Sequence, residues 1–152
     1  MYSTLLSLHS ITRWLLLAGL LYSIYGAGKG FRQKLLFSKK DNAVRHWTAT
    51  IAHIQLVIGI ILYSQSPVVK YFWSNFKEAV QQVDVLFFGL LHIFLMLAAI
   101  VLVTIGSALA KRKQTDRDKF RTELVWFSIA LLIILLAIPW PFSPLAGRPY
   151  FR

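Results

Sequence analysis

Histidines within apolar runs are the residues of this sequence best suited to chemistry. His53 and His92 each stand in a long stretch without charge, and His9 lies in a third stretch, four residues before Arg13. A charged side chain at the centre of a membrane helix costs roughly 2.5–3.5 kcal/mol, so an ionisable residue placed there is a functional candidate. A neutral imidazole binds metal ions and heme iron. These positions therefore predict a buried ligand site.

The elements that carry these histidines are predicted to be membrane-spanning helices. The chain has 152 residues, is 57% hydrophobic and has a mean hydropathy of +0.58, which exceeds the apolar share of soluble domains. Four weakly charged stretches each supply the roughly 20 residues that cross about 30 Å of hydrocarbon. We predict an all-α, integral membrane, up-and-down four-helix bundle that forms one domain, 1–152. The predicted spans are 3–27, 43–64, 83–109 and 122–139.

Basic residues predict the orientation of this bundle. The net charge is +11, and most of the positive residues lie in the two segments that follow the first and third spans. This asymmetry follows the positive-inside rule and predicts cytoplasmic basic loops with both termini outside. The first span lacks a basic segment before its apolar part, so we expect a permanent helix. We expect a multi-pass protein of the cytoplasmic membrane, with the lipid bilayer and not nucleic acid as its partner.

The segments between the spans carry local signals. Residues 68–81 place apolar side chains at nearly helical spacing, which predicts an amphipathic helix on the outer leaflet. Ser38, Asp41 or Asn42 is expected to cap the second helix. Pro139 is the first of several prolines that end the fourth span.

The depths of His53 and His92 predict a shared ligand. Counted from outer ends at Tyr63 and Val83 at about 1.5 Å per residue, His53 lies about 15 Å deep and His92 about 13–14 Å deep. Two imidazoles at one level on neighbouring helices can bind the two faces of a heme iron. Gly89 would let a flat ring approach the helix. Because the chain has no cysteine, the group would be a non-covalent heme b.

Four further side chains belong to this hypothesis. Arg13 would pair with a heme propionate, or alternatively extend to lipid phosphates. His9 shares a helix face with Arg13 and has three open roles: propionate partner, alternative axial ligand, or part of a quinol site. Met96 is expected to pack in the core, although it could coordinate iron. Gln55 is polar within its span and could bond across the bundle, whereas His46 is expected at the cytoplasmic interface.

The sequence also resembles the small four-helix bacterial membrane proteins, chiefly of Bacteroidota, that are known as cytochrome B. The resemblance runs nearly end to end and implies the same helix order and a b-type heme. It places His9, His53 and His92 at positions of the family, whereas Leu91 stands where the family has an acidic residue. The matching segments are LHSITRW (8–14), AHIQLVIGIILYSQSP (52–67), LLHIFLMLAAIVLVTIG (90–106) and IPWPFSPLAGRPYFR (138–152).

These observations favour a heme b protein that transfers electrons between a quinol or an outer redox partner and a larger respiratory or redox complex. We expect an electron carrier or subunit rather than a stand-alone enzyme. Two alternatives stay open: a non-redox accessory subunit whose histidines join helices, and a copper or zinc site built from the three histidines. The sequence shows no nucleophile–base pair, paired carboxylates or phosphate loop, so hydrolase chemistry is not expected. The paired broken helices of transporters are not evident either.

Overall fold

The computed structural model describes residues 1–150 and forms a helical bundle without a strand in that range. Four of its helical stretches, including the continuous run Val83–Arg112, are long and apolar enough to cross a membrane, which confirms the predicted all-α membrane bundle. Phe151 and Arg152, the end of the predicted domain, lie outside the described residues. In chain order the elements are α1 (Tyr2–Gln33), α2 (Lys39–Gln65), α3 (Pro67–Ser74), α4 (Phe76–Ala79), α5 (Val83–Leu86), a π-helical segment (Phe87–Leu91), α6 (His92–Arg112) and α7 (Asp116–Ala137).

The four long helices run antiparallel to their neighbours in an up-and-down order. Contacts join α1 to α2, α2 to α6, α6 to α7 and α7 back to α1, so α1 and α6 lie diagonally across the bundle. We call the end that carries the loops 34–38 and 113–115 the basic end. The opposite end, with residues 66–82 and 138–150, is the tail end.

The loop between α1 and α2 is shorter than predicted. α1 continues beyond 27 to Gln33 and ends at Lys34, whose φ of 52° is left-handed. Ser38 then caps α2: its hydroxyl accepts the Asp41 N–H, and the Asp41 carboxylate accepts the Ser38 N–H. The prediction that Ser38 caps this helix is confirmed, and the linker is reduced to residues 34–38.

At the tail end, the predicted amphipathic segment 68–81 is formed by α3 and α4. Ser66 caps α3 through the N–H of Val69, and proline occupies the first helical position. Phe72 of α3 is fully buried and lies directly on Gly89, where an added Cβ would overlap its ring. The segment therefore docks on the start of the third membrane helix instead of lying only on the bilayer surface.

The core is built from all four long helices. Leu20, Ala52, Val103 and Phe127 are buried at its centre, one from each helix. At the basic end, Gly30 of α1 meets the ring of Phe120 so closely that an added Cβ would overlap it. Close helix approach at small residues is a common way for membrane helices to associate.

Candidate functional site

His9 and His92 face each other between the diagonal helices α1 and α6, in the half of the bundle near the tail end. Their ring centres are 6.5 Å apart and their planes are inclined by 65°. Both side chains are partly buried. The structure thus brings together two of the three histidines that sequence analysis selected.

His92 is held in place by the end of α7. The π-helical segment sets its backbone position, since the His92 N–H donates to Phe87 O, five residues earlier. Its Nδ1 lies 2.7 Å from Ala137 O. That carbonyl has no helical donor, because residue 141 is a proline and lacks an N–H. A carbonyl only accepts, so Nδ1 carries the proton and Nε2 keeps its lone pair for a ligand.

His9 is held by Gln55 of α2. The Gln55 amide nitrogen lies 3.1 Å from His9 O and 3.2 Å from His9 Nε2, and it donates to both. In this arrangement His9 carries its proton on Nδ1. His9 Nδ1 and Gln55 Oε1 are both buried without a hydrogen-bond partner. Buried polar atoms are usually paired, so these two atoms indicate a site whose hydrogen bonds a ligand would complete.

Two arginines reach the same site from the tail end. Arg13 donates from Nη2 to Tyr150 O, while its Nε is buried without a partner. The guanidinium carbon of Arg148 lies 5.0 Å from the centre of the Phe88 ring. No acidic side chain of the described residues lines the cavity. The site is therefore electropositive on one side and suited to an anionic group.

These residues surround a cavity of about 190 Å³. His9, Gln55, Arg13 and His92 are among its polar lining residues, and aliphatic and aromatic side chains form most of the remaining wall. Met96, one turn beyond His92, is part of this wall and packs against the core cluster. The cavity is thus an apolar space with a few convergent polar groups, which is typical of cofactor and small-molecule sites.

His53 does not reach this site. It is exposed on the surface of the bundle, and its Nε2 lies 2.9 Å from the hydroxyl of Thr104. Thr104 follows His92 by twelve residues, which is about 18 Å along α6. The common level assumed for His53 and His92 does not hold, because Tyr63 donates to Gly89 O and is level with that residue rather than with Val83. The third membrane helix therefore begins nearer the tail end than the point at which the second membrane helix ends.

Two other predicted residues also lie elsewhere. Gly89 is buried under Phe72 of α3, so its missing side chain makes room for that ring and not for a ligand. His46 is exposed at the basic end, with its ring centre 5.8 Å from that of Trp47. Neither residue contributes to the cavity.

Sequence reasoning assigned no role to several residues of the site. Arg148 was given no role and Tyr63 served only as a helix end, yet both line the cavity. The proline at residue 141 was available as a signal, since it leaves Ala137 O open to His92.

No group of three or more His, Cys, Asp or Glu side chains is assembled as a metal site within residues 1–150. His9 and His92 are thus a pair, without a third donor of this kind. Comparison with known proteins gave no match to a family model, to a curated protein or to a solved structure.

Proposed function

We propose that this chain is a b-type heme protein that carries single electrons in a membrane, with His9 and His92 as the residues that hold the iron. One observation carries the proposal, namely the two opposed imidazoles with ring centres 6.5 Å apart. Two imidazoles that bind one ion from opposite sides through bonds of about 2 Å have centres roughly 6 Å apart. His9 thus takes the role that sequence analysis first gave to His53. The resemblance to cytochrome B supports the same class.

The hydrogen bonds of both histidines support this assignment. A histidine that binds iron or another metal commonly donates its second N–H to a carbonyl, as His92 does to Ala137 O. For His9, exchange of the amide oxygen and nitrogen of Gln55 would let Oε1 accept the Nε2 proton, which frees the lone pair of Nδ1 but gives up the hydrogen bond that Gln55 donates to His9 O. The unpaired atoms of His9 and Gln55 are the two that this exchange would use.

Arg13 and Arg148 support the proposal through charge. A heme brings two carboxylates, and a guanidinium is the side chain that pairs best with a carboxylate in a poorly hydrated site. The unpaired Nε of Arg13 is a donor for such a group. When bound, heme supplies reversible one-electron chemistry. The residues of this chain bind it, neutralise its carboxylates and exclude water.

A second candidate function is quinol binding, and the cavity volume favours it. A cavity of about 150 Å³ holds one benzene ring, so the observed 190 Å³ takes a quinol ring without rearrangement, whereas a macrocycle requires the helices to separate. The polar atoms also suit a quinol, because His92 Nε2 and Gln55 Oε1 accept hydrogen bonds. His9 Nδ1 would donate to a quinone carbonyl.

In this proposal the chain lies in the bacterial inner membrane, with the basic end in the cytoplasm and the cavity near the outer face. A quinol or an outer redox partner and a larger membrane complex would exchange electrons with it. His53 and Thr104 are polar side chains exposed on a surface that would face lipid, and a neighbouring helix of such a complex would cover them. The same observation favours the accessory-subunit alternative. A three-histidine copper or zinc site draws no support, since His53 is distant from His9 and His92.

An absorption spectrum of the detergent-purified chain, oxidised and then reduced, tests the proposal. We expect a sharp alpha band on reduction that is lost in His9→Ala and in His92→Ala. His53→Ala is the matched control and should retain the band. A band that requires His53 but not His9 would refute the ligand assignment.

A colourless protein would refute heme binding itself. In that case, quenching of tryptophan fluorescence by a short-chain quinone would distinguish the second candidate. Quinone affinity that falls in His92→Ala and Gln55→Leu would support a quinol site, and affinity unchanged in both would exclude it.

A further inference from the structure

Glu123 is the one acidic residue that is buried within residues 1–150. It lies about two turns inside α7 and is 3% exposed. The sequence has six acidic residues, and the other five are exposed or partly exposed at helix ends and in connecting segments. The other five acidic residues are Asp41, Glu78, Asp84, Asp116 and Asp118. Burial of an ionisable residue in a membrane helix costs free energy, and such a residue is usually functional.

Glu123 has a hydrogen-bond donor but no ion-pair partner within residues 1–150. Ser23 of α1, itself 2% exposed, donates from its hydroxyl to Glu123 Oε1. Arg45 is the nearest buried cation, but its guanidinium donates to Ser107 and Asn42 instead. The only ion pair in that range joins Lys119 to Asp116. A buried carboxylate without a counter-ion is unfavourable, whereas the same carboxyl group with a proton is neutral and donates one hydrogen bond.

Beside Glu123 is a second cavity of about 240 Å³, at the basic end. Its wall includes exposed residues such as Lys29 and Leu35, so the cavity opens to the surface there. Glu123 and Ser23 are buried polar residues of its wall. A cavity of this volume with polar groups in its wall admits water molecules, which can carry a proton to the carboxyl group.

We propose that Glu123 is a proton-binding site that exchanges its proton with the aqueous phase at the basic end through this cavity. A hydronium ion in the cavity transfers its proton to Glu123 Oε2, leaving water and a neutral carboxyl group, and the reverse step releases the proton. Oε1 continues to accept the hydrogen bond from Ser23. The inference does not depend on heme or quinol at the other site.

The groups that face Glu123 are few. No residue of α6 lines the cavity, and Ser107 of α6 is bound to Arg45. The amine of Lys40 lies 5.9 Å from the ring centre of Tyr22, and Asp41 is held in the helix cap by Ser38. The titratable and charged residues near Glu123 are Tyr22, Tyr25 and Lys29 of α1 and Lys40, Asp41 and Arg45 of α2.

Infrared difference spectra of the full chain in detergent, recorded between acidic and alkaline buffers, test the proposal. The other five acidic residues give C=O bands of their own when protonated, so the band of interest is the one that is missing in Glu123→Gln. We expect this band to appear and disappear reversibly with pH and to shift in D₂O. Glu78→Gln makes the same chemical change at an exposed site and should keep the band, as should Asp41→Asn in the same cavity. Spectra of wild type and Glu123→Gln that match over the whole pH range in which the helices persist would overturn the proposal.

The route through the cavity has its own test. Gly26 lines this cavity, and a Cβ added there meets nothing within 4 Å. Gly26→Leu should therefore fold and partly fill the cavity. We expect the D₂O shift of the Glu123 band to be several-fold slower in this variant. An unchanged rate would show that the proton reaches Glu123 by another path.

Discussion

Substitution of Gly89 by alanine tests whether this residue packs under Phe72, as the structure places it, or faces a ligand, as the sequence analysis predicted. An added Cβ would overlap the ring of Phe72, which is fully buried and packed in a small cluster with Ala79 and Val85. Overpacking of this kind costs about 1–3 kcal/mol. Alanine regains up to about 1 kcal/mol of helix propensity relative to glycine. We therefore expect Gly89→Ala to lower the free energy of unfolding by up to about 2 kcal/mol.

The measurement is denaturant unfolding in detergent, followed by circular dichroism, with a ligand-binding spectrum recorded on the same samples. Gly26→Ala is the matched control: its Cβ meets nothing within 4 Å, so it should be neutral or stabilising by up to about 1 kcal/mol. Phe72→Leu in the Gly89→Ala background should recover part of the loss, because the two sites are in contact. If Gly89→Ala keeps its stability but loses the ligand, Gly89 faces the ligand and the present argument is wrong.

Two further substitutions test the site and the fold. Gln55→Leu removes both hydrogen bonds to His9 and leaves His9 Nε2 without its donor, so we expect a loss of about 1–3 kcal/mol in stability and weaker ligand binding. Thr104→Val, outside the cavity, is the control, and equal ligand affinity in the two variants would contradict this role. Ser38→Ala removes the capping box of α2 and should lower the free energy of unfolding by about 1 kcal/mol without changing ligand binding. An unchanged unfolding midpoint would show that the cap does not contribute to stability.

The fold could be predicted from sequence because its determinants are local or additive. Hydropathy over about 20 residues identifies each span independently of the others, and short linkers require antiparallel neighbours. The Ser38 cap is likewise encoded within four residues, through the hydroxyl and the Asp41 carboxylate. Orientation in the membrane was also predicted from local charge, and it stays a prediction, since no bilayer is part of the structure.

The site was harder to predict because it depends on the register between helices. The depth of His53 was counted from Tyr63 and that of His92 from Val83, as if both residues marked one plane. α5 and the π-helical segment extend the third helix outward, and Tyr63 bonds to Gly89 O. Six residues separate Val83 from Gly89, which is about 9 Å of axial shift. This shift is larger than the roughly 5.4 Å of one helical turn, so His53 and His92 lie at different levels along the bundle.

The prolines that end α7 indicate a hydrogen bond of the site that the depths of the histidines do not. Pro139 and Pro141 lack the N–H groups that would bond the carbonyls of Leu135 and Ala137. Ala137 is buried, where an unpaired carbonyl is unfavourable, and side-chain donors reach both carbonyls. Trp140 Nε1 binds the first at 2.8 Å, and His92 Nδ1 binds the second at 2.7 Å. The motif that stops α7 thereby fixes the tautomer of His92, and it directs the lone pair of that imidazole to any ligand between α1 and α6.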